Sequence, residues 1–129
     1  MCFKKNITTY EKVELKISTM RGSAIYEISS EGNISKILVY RMVYGNGSAE
    51  RALEKSVAAD TAAVVEKLNE VDLFRWNGFS GKHPKNVTDG VMFDLKAIVN
   101  DGITIRADGS ENFPKGYREL MRWLYEITR

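Results

Sequence analysis

The chain has one cysteine and one histidine in 129 residues, no long apolar run and no excess of either charge sign. Each shortage excludes something. A lone Cys2 forms no internal disulfide and provides no thiolate set for a structural metal. A lone His83 rules out a paired-histidine metal site and a multi-histidine relay. No apolar stretch approaches the roughly 20 residues needed to span a bilayer. The start, M-C-F-K-K-N-I-T-T, has no apolar stretch of the secretory type, so the expected compartment is cytoplasmic. The alternative is export, if a leader has been removed. Lys and Arg total 19 against 17 for Asp and Glu, giving a net charge of +2 with both signs interspersed. That balance argues against a dedicated nucleic-acid binder, which usually carries a stripe or tail of one sign. Also missing are a G-K-S/T phosphate loop, a dinucleotide fingerprint and a G-x-S-x-G elbow around Ser110, so no cofactor is expected. Asn6, Asn33, Asn46 and Asn86 open N-x-S/T triplets, which read as turn asparagines without an export signal.

What is present is an ordinary soluble composition, 43% hydrophobic and 28% charged, long enough for one domain over 1–129. Residues 11–19 alternate, with Val13, Leu15 and Ile17 on one face and Lys12, Glu14 and Lys16 on the other. A two-residue Arg21-Gly22 turn returns the chain through 24–29 with the apolar faces in phase. A three-residue turn at Ser30-Glu31-Gly32 then leads into 34–44, the longest strand. That register groups Tyr26, Ile28, Leu38, Tyr40 and Met42, and leaves Ile25, Ile37 and Val39 on the second face. Residues 49–58 read as a loop or short extended piece.

Asp60 is a helix cap, followed by Thr61, Val64, Leu68 and Val71 at helical spacing. Val91, Phe93, Leu95, Ala97 and Val99 then alternate as a fourth strand, and Ile103, Ile105 and Ala107 as a fifth. A two-residue Asp101-Gly102 turn would set Val99 opposite Thr104 and put the faces out of phase. A three-residue Asn100-Asp101-Gly102 turn sets Val99 opposite Ile103, so the longer turn is expected. Pro114 suits the first turn of a last helix, with Tyr117, Leu120, Met121 and Leu124 on its apolar face. The expected fold is α+β, in the order β-β-β-α-β-β-α. An antiparallel sheet of about five strands carries helices near 60–72 and 115–128 on one face.

The run W-N-G-F-S-G-K-H-P-K-N-V-T-D-G-V-M-F, with A-I-V-N-D-G-I-T-I-R-A-D-G-S-E-N-F-P-K-G-Y after it, resembles a family of small uncharacterised bacterial proteins. The shared pattern is W-x-G-F, D-G-x-x-F, a D-G or N-G turn, and G-S-x-x-F-P followed by Tyr. Here it falls on Trp76, Gly78, Phe79, Asp89, Gly90, Phe93, Asp101, Gly102, Gly109, Ser110, Phe113, Pro114 and Tyr117. The resemblance implies a domain type and no assigned activity. It covers the last third to half of the chain.

The expected function is a non-enzymatic binding or protein-interaction module, with a homodimer among the partners open to it. A small-ligand or partner site is expected where loop 76–89 meets loop 109–113, with Trp76, His83, Glu111 and Asn112 sharing a cleft. A second surface, Ile25, Ile37 and Val39, is expected to serve sheet-face association unless a loop covers it. The alternative is a small hydrolase or metal-dependent enzyme using His83 with Asp89 or Glu111. Asp94 and Asp108 read as strand and turn carboxylates, with Asp94 alternating outward beside Lys96.

Overall fold

The computed structural model describes residues 6–85 and 90–129. Seven strands build one sheet: β1 (Tyr10–Thr19), β2 (Gly22–Glu31), β3 (Ile34–Gly45), β4 (Ser48–Asp60), β5 (Ser80–Gly81), β6 (Met92–Val99) and β7 (Ile103–Ser110). Their order across the sheet is β4-β3-β2-β1-β6-β7-β5. Every pairing is antiparallel except that of β5 with β7. Helices α1 (Thr61–Glu70) and α2 (Tyr117–Ile127) supply Val64, Leu68, Tyr117, Leu120 and Leu124 to a core on one sheet face. The class is α+β as expected. The sheet is mixed and seven-stranded, where five antiparallel strands were expected.

The largest addition is β4, over residues expected to form a loop or short extended piece. Its residues include Ala, Glu, Lys and Arg, which favour helix over strand, and its alternation is interrupted. The interruption has a structural cause. Val39 pairs with Lys55 and Tyr40 with Leu53, so Glu54 is an extra residue bulged out of the ladder. Arg51 and Leu53 share one face, and beyond the bulge Val57 and Ala59 are on the other. No period of two survives in the sequence. The strand forms because β3 needs partners for a second row of amides and carbonyls.

A second correction concerns the β2–β3 turn. Glu31 pairs with Ile34, closing a two-residue turn at Gly32-Asn33 with Gly32 at a φ of 69°. A glycine at the first central position suits this hairpin type. The shorter turn changes parity, so Ile28 faces Ile37 and Tyr26 faces Val39. Ile37 and Val39 therefore lie on the helix-covered side, both buried, and not on the second face. The β1–β2 turn is Met20-Arg21, one residue earlier than expected. That slip preserves parity and moves no side chain to the other face.

The closing hairpin follows the phase argument. Val99 pairs with Ile103 across Asn100-Asp101-Gly102, and Gly102 has a φ of 112°. Nothing crowds the position, so Gly102→Ala tests conformation alone. The substitution is expected to cost about 1 kcal/mol or more, because an L-residue is strained there. Chemical denaturation measures it, and an unchanged midpoint would show that the turn relaxes without strain.

Candidate functional site

The sheet has two unlike faces. One is sealed by the helices and the core. The other is open, and alternation places Lys12, Glu14, Lys16, Glu27, Asp94, Lys96, Arg106 and Asp108 on it. Its β1–β4 part is neutralised internally. Arg51 reaches Glu14 at 3.3 Å and Glu27 at 3.5 Å, and Lys12 reaches Glu14 at 3.6 Å and Glu27 at 3.4 Å. Arg51 also lies over the Tyr40 ring, 5.7 Å from its centre. For Arg51 on β4 to meet Glu14 on β1, the long β3–β4 hairpin has to curl over this face. Ile25 lies here, flanked across the strands by Lys16 and Tyr40, and only 2% exposed. Ile25, Ile37 and Val39 therefore do not form one exposed apolar patch.

The β6–β7 half is different. Pairing sets Asp94 directly opposite Asp108, and Lys96 directly opposite Arg106. Like charges directly opposite one another on a sheet are destabilising. None of the four forms an ion pair among the described residues. Two adjoining hollows of about 360 Å³ each sit over these rows. Both are lined by Lys16, Asp94 and Asp108; one continues to Ser18, Met92 and Ser110, the other to Glu14, Lys96 and Arg106. They form a trough on the open face, with the Asp94–Asp108 pair beside the Lys96–Arg106 pair, and with Lys16 and Glu14 of β1 opposite Asp94 and Lys96.

The expected loop junction lies at the Ser110 end of this trough. β5 pairs with β7 through Ser80–Asp108 and Gly81–Gly109, bringing loop 77–85 beside loop 109–113. Ser80 Oγ donates to Asp108 Oδ1 at 3.0 Å, and Asn112 Nδ2 donates to the Lys82 carbonyl at 3.4 Å. His83 is exposed, with Nδ1 2.7 Å from Ser110 Oγ. The loop is tightly folded at Gly109, where a Cβ would stand 2.1 Å from the Asn112 carbonyl oxygen and 2.7 Å from the Phe93 ring. That close approach is a physical reason for glycine in the G-S-E-N-F-P segment.

The four residues expected to share a cleft are divided by the fold. Trp76 is 2% exposed, and its indole Nε1 donates to the Lys115 carbonyl at 2.9 Å. It packs with Phe93 and Tyr117 at ring separations of 6.5 and 6.2 Å, and Phe113 stacks on Tyr117 at 4.4 Å. Trp76 thus plugs the core end and is not a cleft surface. Burial pushes the Tyr117 hydroxyl up to about 12, with Tyr26 and Glu111 adding to the shift. Glu111 has a φ of 49°, and its carboxylate accepts from the Val91 amide at 2.6 Å, which ties it to neighbouring backbone. His83 and Asn112 remain at the surface. Asp89 lies outside the described residues.

The sequence reading missed the paired charge rows, although they follow from its own turn. Once Val99 is opposite Ile103, counting back sets Asp94 opposite Asp108 and Lys96 opposite Arg106. No group of three or more His, Cys, Asp and Glu among the described residues is placed to hold a metal ion. No helix among them is long and apolar enough to cross a membrane. Comparison with protein-family models, with curated proteins and with solved structures finds no match.

Proposed function

We propose that this protein is a non-enzymatic interaction module that binds a protein segment in the open-face trough. The observation that supports it is the pair of like-charge rows, Asp94 with Asp108 and Lys96 with Arg106, exposed and without ion partners among the described residues. The signs alternate across β1–β6, where Lys16 is opposite Asp94 and Glu14 opposite Lys96. A sheet that only needed solubility would gain by alternating them across β6–β7 as well. Keeping them in rows makes sense when a partner supplies the opposite signs. Successive residues on one face of a strand are roughly 7 Å apart. The fitting segment therefore presents a basic group over the aspartates and an acidic group about that far away, over Lys96 and Arg106. Such complementarity sets specificity and the rate of encounter more than raw affinity.

Amide-resolved NMR with short synthetic peptides carrying one Lys and one Glu at varied spacing tests this. Shifts are expected over 14–18, 92–96 and 106–110, weakening with added salt as the charges are screened. Reversing one row, with Asp94→Lys and Asp108→Lys, is expected to abolish them. Peptides of every spacing leaving these amides unmoved would sink the proposal.

One contact favours a different class. His83 Nδ1 and Ser110 Oγ at 2.7 Å are within reach for a base and a nucleophile. In this reading the pair replaces the expected His83 pairing with Glu111, whose carboxylate is held by Val91. Turnover of activated esters, lost in Ser110→Ala and retained in Asp94→Lys, would favour the hydrolase over the binder.

A further inference from the structure

We infer that β4 is a docking edge on which a second copy of this chain adds its own β4, antiparallel, about a two-fold axis near Val57. This is separate from the open-face trough and stands or falls without it.

The two sheet edges are finished differently. At the β7 side, residues 77–81 cover the strand: the Gly78 amide donates to the Arg106 carbonyl at 2.8 Å, the Arg106 amide to Asn77 Oδ1 at 3.0 Å, and the Asp108 amide to the Phe79 carbonyl at 3.0 Å. At the β4 side nothing comparable is present among the described residues. A thirteen-residue strand is left as an edge.

Its hydrogen-bonding groups can be assigned by counting. Gly45 and Ser48 close a two-residue turn, so Ser48, Glu50 and Ala52 bond toward β3 while Ala49, Arg51 and Leu53 point away. The bulge at Glu54 resets the phase. Lys55, Val57 and Ala59 bond inward, a phase that the Thr61 amide continues by donating to the Asn33 carbonyl at 2.9 Å. Ser56 and Ala58 then present their amides and carbonyls to the outside.

The two halves of the edge differ in their fitness for a partner. The upper half carries Glu50, Arg51, Glu54, Lys55 and the bulge, which are common ways of blocking strand addition. The lower half, Ser56-Val57-Ala58-Ala59, has no charge, proline or bulge. Unprotected amides and carbonyls in an uncharged run specify an extended strand as the occupant.

A second copy fits that opening. With Val57 opposite its symmetry mate, Ser56 of each copy faces Ala58 of the other. Both residues point outward, so each pair exchanges two backbone hydrogen bonds. Lys55 bounds the run at one end and Asp60 at the other, while Glu54 is already held by Arg41 at 3.1 Å. In this register Lys55 of each copy faces Ala59 of its mate, and Glu54 faces Asp60, whose carboxylate already accepts from the Ala63 amide at 3.3 Å as the cap of α1. The symmetric pair closes both edges at once, so assembly stops at two.

Sedimentation equilibrium of the full chain over a concentration series, with amide exchange at Ser56 and Ala58, tests the inference. The parent is expected to dimerise reversibly, with those two amides protected only at concentrations where dimer is populated. Ala58→Pro removes an outward donor without touching the β3 ladder, a position where proline is tolerated. It is expected to weaken dimerisation at least tenfold while leaving the monomer's melting unchanged. Ala58→Lys, which brings like charges together across the axis, provides the same reading if the proline variant does not fold. A parent that stays monomeric to about 1 mM, the weakest end of useful affinity, would overturn the inference. So would a dimer whose Ser56 and Ala58 amides exchange freely, or folded variants that associate as the parent does.

Discussion

Trp76→Ala is expected to destabilise the protein by about 3–5 kcal/mol, the range for emptying a large aromatic site in a core. Trp76 is the largest fully buried side chain, and it joins the closing hairpin to the start of α2. Removing it leaves Phe93 and Tyr117 facing a void and takes the donor from the Lys115 carbonyl. Trp76→Phe separates the two effects. It refills most of the volume and removes only the hydrogen bond, for an expected loss of about 1–3 kcal/mol. Guanidinium unfolding at equal m-values reads both. If Trp76→Ala cost no more than Trp76→Phe, the ring would not be the plug inferred from its burial.

Leu68→Ala and Leu124→Ala are each expected to cost about 2–5 kcal/mol. Both side chains are fully enclosed, on α1 and α2 respectively, against the same sheet face. The spread depends on how far the surroundings collapse into the cavity. Leu53→Ala is the control: Leu53 is 56% exposed on β4, so its loss is expected to stay within about 0.5 kcal/mol. Urea midpoints for the three variants give the comparison. A Leu53 variant as damaging as the other two would mean that β4 is covered and not open.

The contrast among these leucines shows how far the sequence could be read. Leu68 and Leu124 sit in apolar stripes of period 3.6, so their burial was legible. Leu53 belongs to a strand whose alternation a single bulged residue, Glu54, breaks, and local pattern does not recover it. The closing hairpin was legible in full, because only one turn length brings its apolar faces into phase. Ile37 and Val39 were misassigned for the opposite reason. β3 is apolar on both faces, so either turn length gave an acceptable match and the pattern had no power to choose.

The candidate site divides along the same line. That loop 76–89 approaches loop 109–113 followed from hairpin geometry, since a strand that begins beside the end of its partner brings both flanking loops together. The seat of 77–85 on β7 came instead from the unexpected β5 pairing. Whether Trp76 faced a cleft or the core did not follow, because an aromatic just before an Asn77-Gly78 turn suits either. Sequence alone determined the residues that must alternate or recur together: the α+β class, the two helical stripes and the phase of the last hairpin. Tertiary structure alone decided which way β3 faces, that 48–60 is a strand, and which charges are left without partners. Those outcomes depend on pairings between distant segments, where the free energy lies in satisfying another strand's backbone and covering another element's side chains. A local period carries no record of either.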